Sequence, residues 1–72
     1  MNFDAPLMYL QRLRMERAKQ ILEFHPTRIH DLAASVGYED LGFFRKLFMR
    51  YNGASPSEYR KRFRDKFHEN DE

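Results

Sequence analysis

The feature that most constrains this chain is the tight turn Val36-Gly37-Tyr38-Glu39, which separates two short segments of helical periodicity. Apolar residues recur at helical spacing on both sides of the turn: Ile29, Leu32, Ala33, Val36, Phe44, Leu47 and Phe48. Glycine commonly ends a helix because it adopts a left-handed backbone conformation without strain. The pattern is typical of a helix-turn-helix, whose two helices cross closely at a wide angle. An ordinary helical hairpin inside a bundle has the same pattern, so spacing alone leaves both interpretations open.

A longer helix is predicted before this pair, from Pro6 to about Phe24. Proline suits the first position of a helix because its missing N–H would be unpaired there anyway. Pro26 disfavours helical backbone at the preceding residue, so the helix should end near Phe24. Its buried face is expected to be a broad stripe of residues at helical spacing: Leu7, Leu10, Leu13, Met15, Arg17, Ala18, Ile21 and Leu22.

Capping side chains set the predicted starts of the other three helices. Thr27 is expected to cap a helix from about Arg28 to Ser35, and Asp40 to cap one from about Leu41 to Tyr51. Ser55-Pro56-Ser57-Glu58 has the pattern of a capping box and opens the last helix. That helix carries aromatic residues at helical spacing: Tyr59, Phe63 and Phe67. The predicted fold class is all-α, a small homeodomain-like bundle that contains a helix-turn-helix.

Seventy-two residues provide for one small domain, and its charge is distributed unevenly. Residues 65–72 form an acidic tail with one base and four acids, a net charge of −3, whereas residues 1–64 carry +5. Residues 1–5 are a short N-terminal remnant, and residues 6–64 form the predicted domain. No apolar run approaches the roughly 20 residues that span a bilayer. We therefore expect a cytoplasmic protein without a membrane partner.

Enzyme chemistry has no support in the residue pattern. The chain lacks cysteine, which excludes a disulfide, a zinc–thiolate site and a cysteine nucleophile. His25, His30 and His68 do not have the spacing of metal ligands, and no carboxylate cluster accompanies them. The three glycines do not form a phosphate-binding loop. No catalytic residue, metal or cofactor is predicted.

The predicted helix after the turn has a surface suited to reading DNA. A recognition helix presents its N-terminal residues to the major groove, and positions 41–46 are the corresponding ones here. Arg45 and Lys46 could address guanine edges or phosphates, and Leu41 and Phe43 could touch thymine methyl groups. Alternatively, Leu41 and Phe43 pack against the rest of the chain, or dock a protein partner or a second copy in a helical interaction module.

The segment IHDLAASVGYEDLGFFRKLFMRYNGASPSEYRKRF resembles the second helix-turn-helix of the AraC/XylS family of bacterial transcription regulators. The resemblance depends on matching residues in the same order: Ile29, Leu32, Ala33, Val36, Gly37, Tyr38, Asp40, Phe44, Arg45, Lys46, Phe48, Gly53, Ser55, Pro56, Tyr59 and Arg60. Upstream, PLMYLQRLRMERAKQIL resembles the long linker helix of that family, so the match covers about residues 5–64. Within the family, the sequence of this chain is most similar to the GlxA-like branch, whose members carry an amidotransferase-like N-terminal domain.

The resemblance implies sequence-specific binding of double-stranded DNA in a nucleoid-associated regulator. It places the base contacts at Leu41, Gly42, Phe43, Arg45 and Lys46, although Gly42 has no side chain to read a base. It also implies possible contact with RNA polymerase and dimerisation through another domain. Family modules contain two helix-turn-helix units, whereas only one is recognisable here, so we expect the chain to be part of a longer regulator.

Contacts to DNA phosphates are expected from basic groups and from free N–H groups at the start of the last helix. The predicted set comprises Arg28, Arg50, Ser55, Ser57, Arg60 and Lys61. Two structural alternatives remain open. The Ser55 capping box could serve the helix alone, and Arg60 could pair with Glu39 or Asp40 to fix the recognition helix.

Overall fold

A computed structural model describes the backbone of residues 6–70 and the side chains of residues 6–64. It contains four helices: α1 (Leu7–Phe24), α2 (Ile29–Ser35), α3 (Leu41–Asn52) and α4 (Pro56–Asn70). No strand occurs among the described residues, which confirms the all-α prediction. Helix α4 continues to Asn70, so residues 65–70 of the acidic tail are helical rather than frayed. The N-terminal remnant, the last two residues and the side chain of Phe67 lie outside what the structure describes.

Two predicted helix starts are wrong by one residue. Pro6 is the N-cap of α1 and precedes its first helical residue, Leu7. The N-cap of α2 is Arg28, whose carbonyl accepts the first helical hydrogen bond, from the Leu32 amide at 2.9 Å. Thr27 therefore lies one residue too early to cap α2, and its hydroxyl instead lies 3.4 Å from the Arg28 carbonyl oxygen.

The core lies between α1 and the three shorter helices, all of which contact it. Its fully buried members are Met15, Ala18, Leu22, Ile29, Leu32, Ala33, Val36, Phe44, Leu47 and Phe48. Ala33 is buried on the core face of α2, where a small side chain permits close approach of a neighbouring helix. The α2 and α3 faces that the spacing predicted are thus confirmed as core faces.

Helix α1 buries a narrower face than the sequence predicts. Met15, Ala18 and Leu22 share one side of the helix and are buried, whereas Leu10 and Leu13 belong to a different side and are exposed. Arg17 is also exposed, so the predicted broad stripe was wrong in extent. Because residues are rotated by 100° from one to the next, the stripe covered more of the circumference than the three neighbouring helices can cover.

Candidate nucleic-acid interface

The turn between α2 and α3 is closed by backbone hydrogen bonds around Gly37. Its φ is 99°, a left-handed conformation that favours glycine, and its amide donates to the Ala34 carbonyl at 3.1 Å. The Tyr38 amide donates to the Ala33 carbonyl at 2.9 Å. The predicted role of Gly37 in ending α2 is therefore confirmed, and hydrogen bonds from the Gly37 and Tyr38 amides close the start of the turn.

Arg14 of α1 contacts two residues of this turn, Gly37 and Tyr38. Its guanidinium lies over the Tyr38 ring, 5.3 Å from the ring centroid, in a cation–π contact. The same guanidinium lies close to Gly37, 3.4 Å from the position that a β-carbon would occupy. The Tyr38 ring contacts both Phe43 and Phe44, with centroid distances of 5.9 and 6.0 Å. Through Tyr38, α1 contacts the first turn of α3.

Both ends of α3 are defined by capping interactions. At the start, the Asp40 carboxylate accepts a hydrogen bond from the Phe43 amide at 3.1 Å, as the sequence predicts. At the end, Gly53 has φ 75° and donates to the Met49 carbonyl at 2.8 Å. Between these two caps, α3 is a continuous helix from Leu41 to Asn52.

The inward face of α3 consists of Phe44, Leu47 and Phe48, all of which are buried. Most of the predicted base-contact residues lie on the other side: Gly42, Phe43, Arg45 and Lys46 are exposed, and Phe43 is 46% exposed. Leu41 is only half-exposed because it packs against the core. Of the two residues proposed for an alternative protein-docking surface, Phe43 is therefore the more accessible.

Met49, which the predicted base-contact residues do not include, is 46% exposed on the outward side of α3. It lies seven residues after Gly42, four after Arg45 and three after Lys46, and these intervals put all four on one helical face. The spacing alone could have identified it. Met49 was passed over because only the N-terminal positions 41–46 were considered.

The outward face of α3 is positively charged. The helix contains Arg45, Lys46 and Arg50 and no acidic residue. Within residues 6–64, none of these three bases makes a salt bridge; the pairs present are Lys19–Glu16 at 3.6 Å and His30–Asp31 at 3.7 Å. The three cationic groups are thus available to an anionic partner.

The start of α4 is a complete capping box. The Ser55 amide donates to the Glu58 carboxylate at 3.0 Å, and the Glu58 amide donates to the Ser55 hydroxyl at 3.1 Å. Of the two alternatives left open for this box, the structure shows the one in which it serves the helix, because the Ser55 N–H is satisfied by the Glu58 carboxylate and is not free. Ser57 remains exposed.

Arg60 has a structural contact that the sequence analysis did not predict. Its Nη1 donates to the Thr27 carbonyl at 2.7 Å, so it joins α4 to the connection between α1 and α2. The predicted pairing with Glu39 or Asp40 was wrong, because the Thr27 carbonyl is within reach and already accepts from the guanidinium. The other three bases or hydroxyls of the predicted phosphate set outside α3 are all exposed: Arg28, Ser57 and Lys61.

Two tyrosine hydroxyls connect α3 and α4 to α1. The Tyr51 hydroxyl donates to the Gln11 amide oxygen at 3.1 Å, and the Tyr59 hydroxyl donates to the Glu23 carboxylate. The Tyr59 ring packs edge-on against Phe48 at a centroid distance of 5.8 Å. Burial and the neighbouring Glu23 carboxylate raise the pKa of Tyr59 above its usual value.

Other kinds of site have no counterpart in the described part of the chain. No group of three or more metal-binding side chains occurs there. None of the helices described is both long and apolar enough to cross a membrane.

Comparison with known proteins gives a consistent result. Residues 4–62 match the family described as "Helix-turn-helix domain". The chain is 47% identical over 57 residues to the raffinose operon transcriptional regulatory protein RafR of Pediococcus pentosaceus, covering 79% of this chain and 21% of that protein. It is 42% identical over 55 residues to the transcriptional activator RhaR of Yersinia pseudotuberculosis, covering 76% of this chain and 19% of that protein. The chain thus spans about a fifth of the length of these relatives. No solved structure matches it significantly.

Proposed function

Since the chain belongs to the AraC-type helix-turn-helix family of transcription regulators, we propose that α3 is its recognition helix and enters the major groove of double-stranded DNA. The observation that carries this proposal is the outward face of α3, where three cationic side chains without salt bridges in the described part of the chain lie beside exposed apolar ones. The base contacts are assigned to Gly42, Phe43, Arg45 and Lys46, with Leu41 at the edge.

Contacts to the phosphate backbone position the helix, and Arg28, Arg50 and Lys61 are the best suited to make them. Each of these bases is exposed, and none has a salt bridge within residues 6–64. Ser57 can add a hydroxyl contact near the start of α4. Ser55 and Arg60 serve mainly the fold, because the Ser55 amide donates to Glu58 and the Arg60 guanidinium donates to the Thr27 carbonyl.

The larger protein implied by the relatives' length is proposed to act in the bacterial cytoplasm, in association with the nucleoid. Contact with RNA polymerase and dimerisation through another domain belong to the same proposal. The described residues favour further contacts of this kind, because the N-terminal half of α1 exposes apolar side chains: Leu7, Met8, Tyr9, Leu10 and Leu13. An exposed apolar patch of this sort commonly marks a surface that another domain or protein covers.

The test is a fluorescence-anisotropy titration of duplex DNA with the 72-residue chain at two salt concentrations. Non-specific affinity in the range of roughly 10⁻⁴ to 10⁻⁶ M is expected for a single unit. With about three phosphate contacts, the association constant should fall about 40-fold between about 50 and 200 mM salt. Absence of binding at low salt, or binding that is insensitive to salt, contradicts the proposal.

A double substitution tests the assignment of α3. Arg45→Ala with Lys46→Ala should weaken DNA binding at least about tenfold, because two major-groove contacts are lost. The matched control is Arg12→Ala with Arg17→Ala, which removes the same charge from exposed positions of α1. Both double variants should keep the unfolding temperature of the wild type, since all four side chains are exposed. An equal loss of affinity in the two variants would show that only net charge matters.

A further inference from the structure

The outward face of α3 is restricted in its hydrogen-bonding chemistry. Arginine and lysine side chains only donate hydrogen bonds, and phenylalanine and glycine side chains offer no polar group. The thioether sulfur of Met49 is a weak acceptor at most. Between positions 41 and 50 the sequence contains no Asn, Gln, Ser, Thr, Asp, Glu or His. From Leu41 to Arg50, α3 therefore has no side chain that accepts a strong hydrogen bond from a base, and its one amide side chain, Asn52, is half-buried at the last position of the helix.

The acceptors nearest to this face are engaged in other contacts, lie outside the helix or, in the case of Asn52, are half-buried at its last position. Asp40 accepts from the Phe43 amide, which holds its carboxylate at the helix end. Glu39 precedes that cap in the turn. At the other end of α3, the Tyr51 hydroxyl donates to Gln11 and belongs to the contact with α1.

The major groove presents both acceptors and donors, and only some of them fit such a surface. Guanine N7 and O6, adenine N7 and thymine O4 accept hydrogen bonds, and thymine adds a methyl group. The amino groups of adenine N6 and cytosine N4 are donors, which a face of donors and apolar groups cannot pair with.

We propose, on the basis of the function proposed above, that α3 reads only acceptor edges and thymine methyl groups. Arg45 and Lys46 contact guanine, and Phe43 and Met49 contact thymine methyl groups. The amino groups of adenine and cytosine are not read. Met49 thereby becomes a specificity-determining residue.

The geometry suits an ordered pattern of contacts. Phe43 is supported by the Tyr38 ring, which in turn lies under the Arg14 guanidinium, so its position at the edge of α3 is fixed. Phe43 and Met49 are six residues apart, about 9 Å along a helix. Arg45 and Lys46 lie between them. Because stacked base pairs are 3.4 Å apart along each strand, the preferred site contains guanine with thymines within about three base-pair steps.

The experiment alters one functional group of one base at a time. A preferred sequence is first selected from a random 20-base-pair duplex library with the 72-residue chain. Analogues are then placed in it one position at a time. Uracil for thymine removes the methyl group and should weaken binding about fourfold at the contacted positions. Replacing guanine by 7-deazaguanine removes N7 and should weaken binding at least about fivefold. 2-Aminopurine for adenine removes the N6 amino group from the major groove, placing an amino group in the minor groove instead, and should change affinity less than about twofold.

Protein variants assign these effects to residues. Phe43→Ala and Met49→Ala should each abolish the uracil effect at one thymine, while Met8→Ala, a change at an exposed methionine of α1, should leave every effect unchanged. Gly42→Gln adds the missing acceptor, and the only atom near its β-carbon position is an Asp40 carboxylate oxygen at 3.4 Å. This variant should acquire sensitivity to 2-aminopurine, since glutamine pairs with adenine N6 and N7.

The outcomes separate the two proposals. If the wild-type chain binds duplex DNA but is sensitive to 2-aminopurine, an acceptor such as Glu39, Asp40 or Asn52 reads an amino group, and the inference fails while the proposed function stands. DNA binding without any uracil or 7-deazaguanine effect also overturns the inference alone. If no duplex is bound even at low salt, the proposed function itself is wrong. Circular dichroism of each variant confirms that it is folded before its affinity is interpreted.

Discussion

At the scale of single residues, the glycines of the helix-turn-helix have opposite requirements. Gly37 has φ 99°, and a β-carbon there would meet the Arg14 guanidinium at 3.4 Å. Gly42 has helical backbone, and a β-carbon there would contact only an Asp40 carboxylate oxygen. The first glycine is therefore required by the backbone, whereas the second lowers the stability of α3 without a conformational reason.

Alanine at these two positions should change stability in opposite directions. Gly42→Ala should raise the free energy of unfolding by about 0.8 to 1 kcal/mol, the difference in helix propensity. Gly37→Ala should lower it by about 1 to 2 kcal/mol, because left-handed backbone is strained for any residue with a β-carbon. Urea denaturation of both variants provides the measurement. A destabilised Gly42→Ala variant would indicate that the backbone at position 42 has a requirement not visible in the structure.

The Tyr59 hydroxyl should make the domain sensitive to alkaline pH. Its pKa is raised above the unfolded value of about 10, chiefly by burial and also by Glu23. The protonated form is thus favoured by folding, so the stabilisation is complete below about pH 10 and is lost as the pH rises above it. Thermal unfolding between about pH 8 and 11 should show a falling midpoint. The fall should be smaller in Tyr59→Phe, and an equal fall would assign it to other groups.

At the scale of elements, the sequence predicts the four helices well because local interactions determine their ends. Asp40 and the Ser55–Glu58 box are recognisable caps, and both make the expected hydrogen bonds. The α2 and α3 core faces were also predictable, since each has a narrow apolar stripe. The buried face of α1 was not, because this helix has apolar residues on more than one side. Which side faces inward depends on tertiary packing.

The two sides of α1 should respond differently to truncation. Leu22 is 5% exposed, and Leu22→Ala should lower the free energy of unfolding by about 2 to 5 kcal/mol. Leu13 is 47% exposed, and Leu13→Ala should change it by less than about 0.5 kcal/mol. The chemical change is identical, so each variant is the control for the other in urea denaturation. Similar losses in both would show that the exposed side of α1 is buried in solution.

At the scale of the whole molecule, α1 holds the three other helices together. It contacts α2, α3 and α4, and it makes hydrogen bonds with Tyr51 and Tyr59 and a cation–π contact with Tyr38. A chain of this size buries only about 60% of its unfolded surface, so these few contacts are a large share of its stability. The spatial relation of α1 to the DNA-facing helix could not be predicted, because it depends on side chains far apart in sequence.

The surface proposed to face DNA was only partly predictable for the same reason. The exposure of Arg45 and Lys46 could be predicted because Phe44, Leu47 and Phe48 occupy the inward face of α3. The engagement of Arg60 by the Thr27 carbonyl depends on a contact across 33 residues, which no local pattern reveals. The occupation of the Ser55 amide was one of the two alternatives that the capping-box pattern left open, because the same residues can close the box or leave their N–H groups free.

The separation of the two faces of α3 has a consequence for how such a domain can evolve. Phe44, Leu47 and Phe48 maintain the core, whereas Gly42, Lys46 and the other outward residues take no part in it. If α3 reads DNA as proposed, mutations on its outward side alter which promoters a regulator serves while leaving its fold intact. After a gene duplication, one copy could acquire a new set of target genes by a change at Gly42 alone. Mutations at this position would have little effect on fitness until the new target became useful.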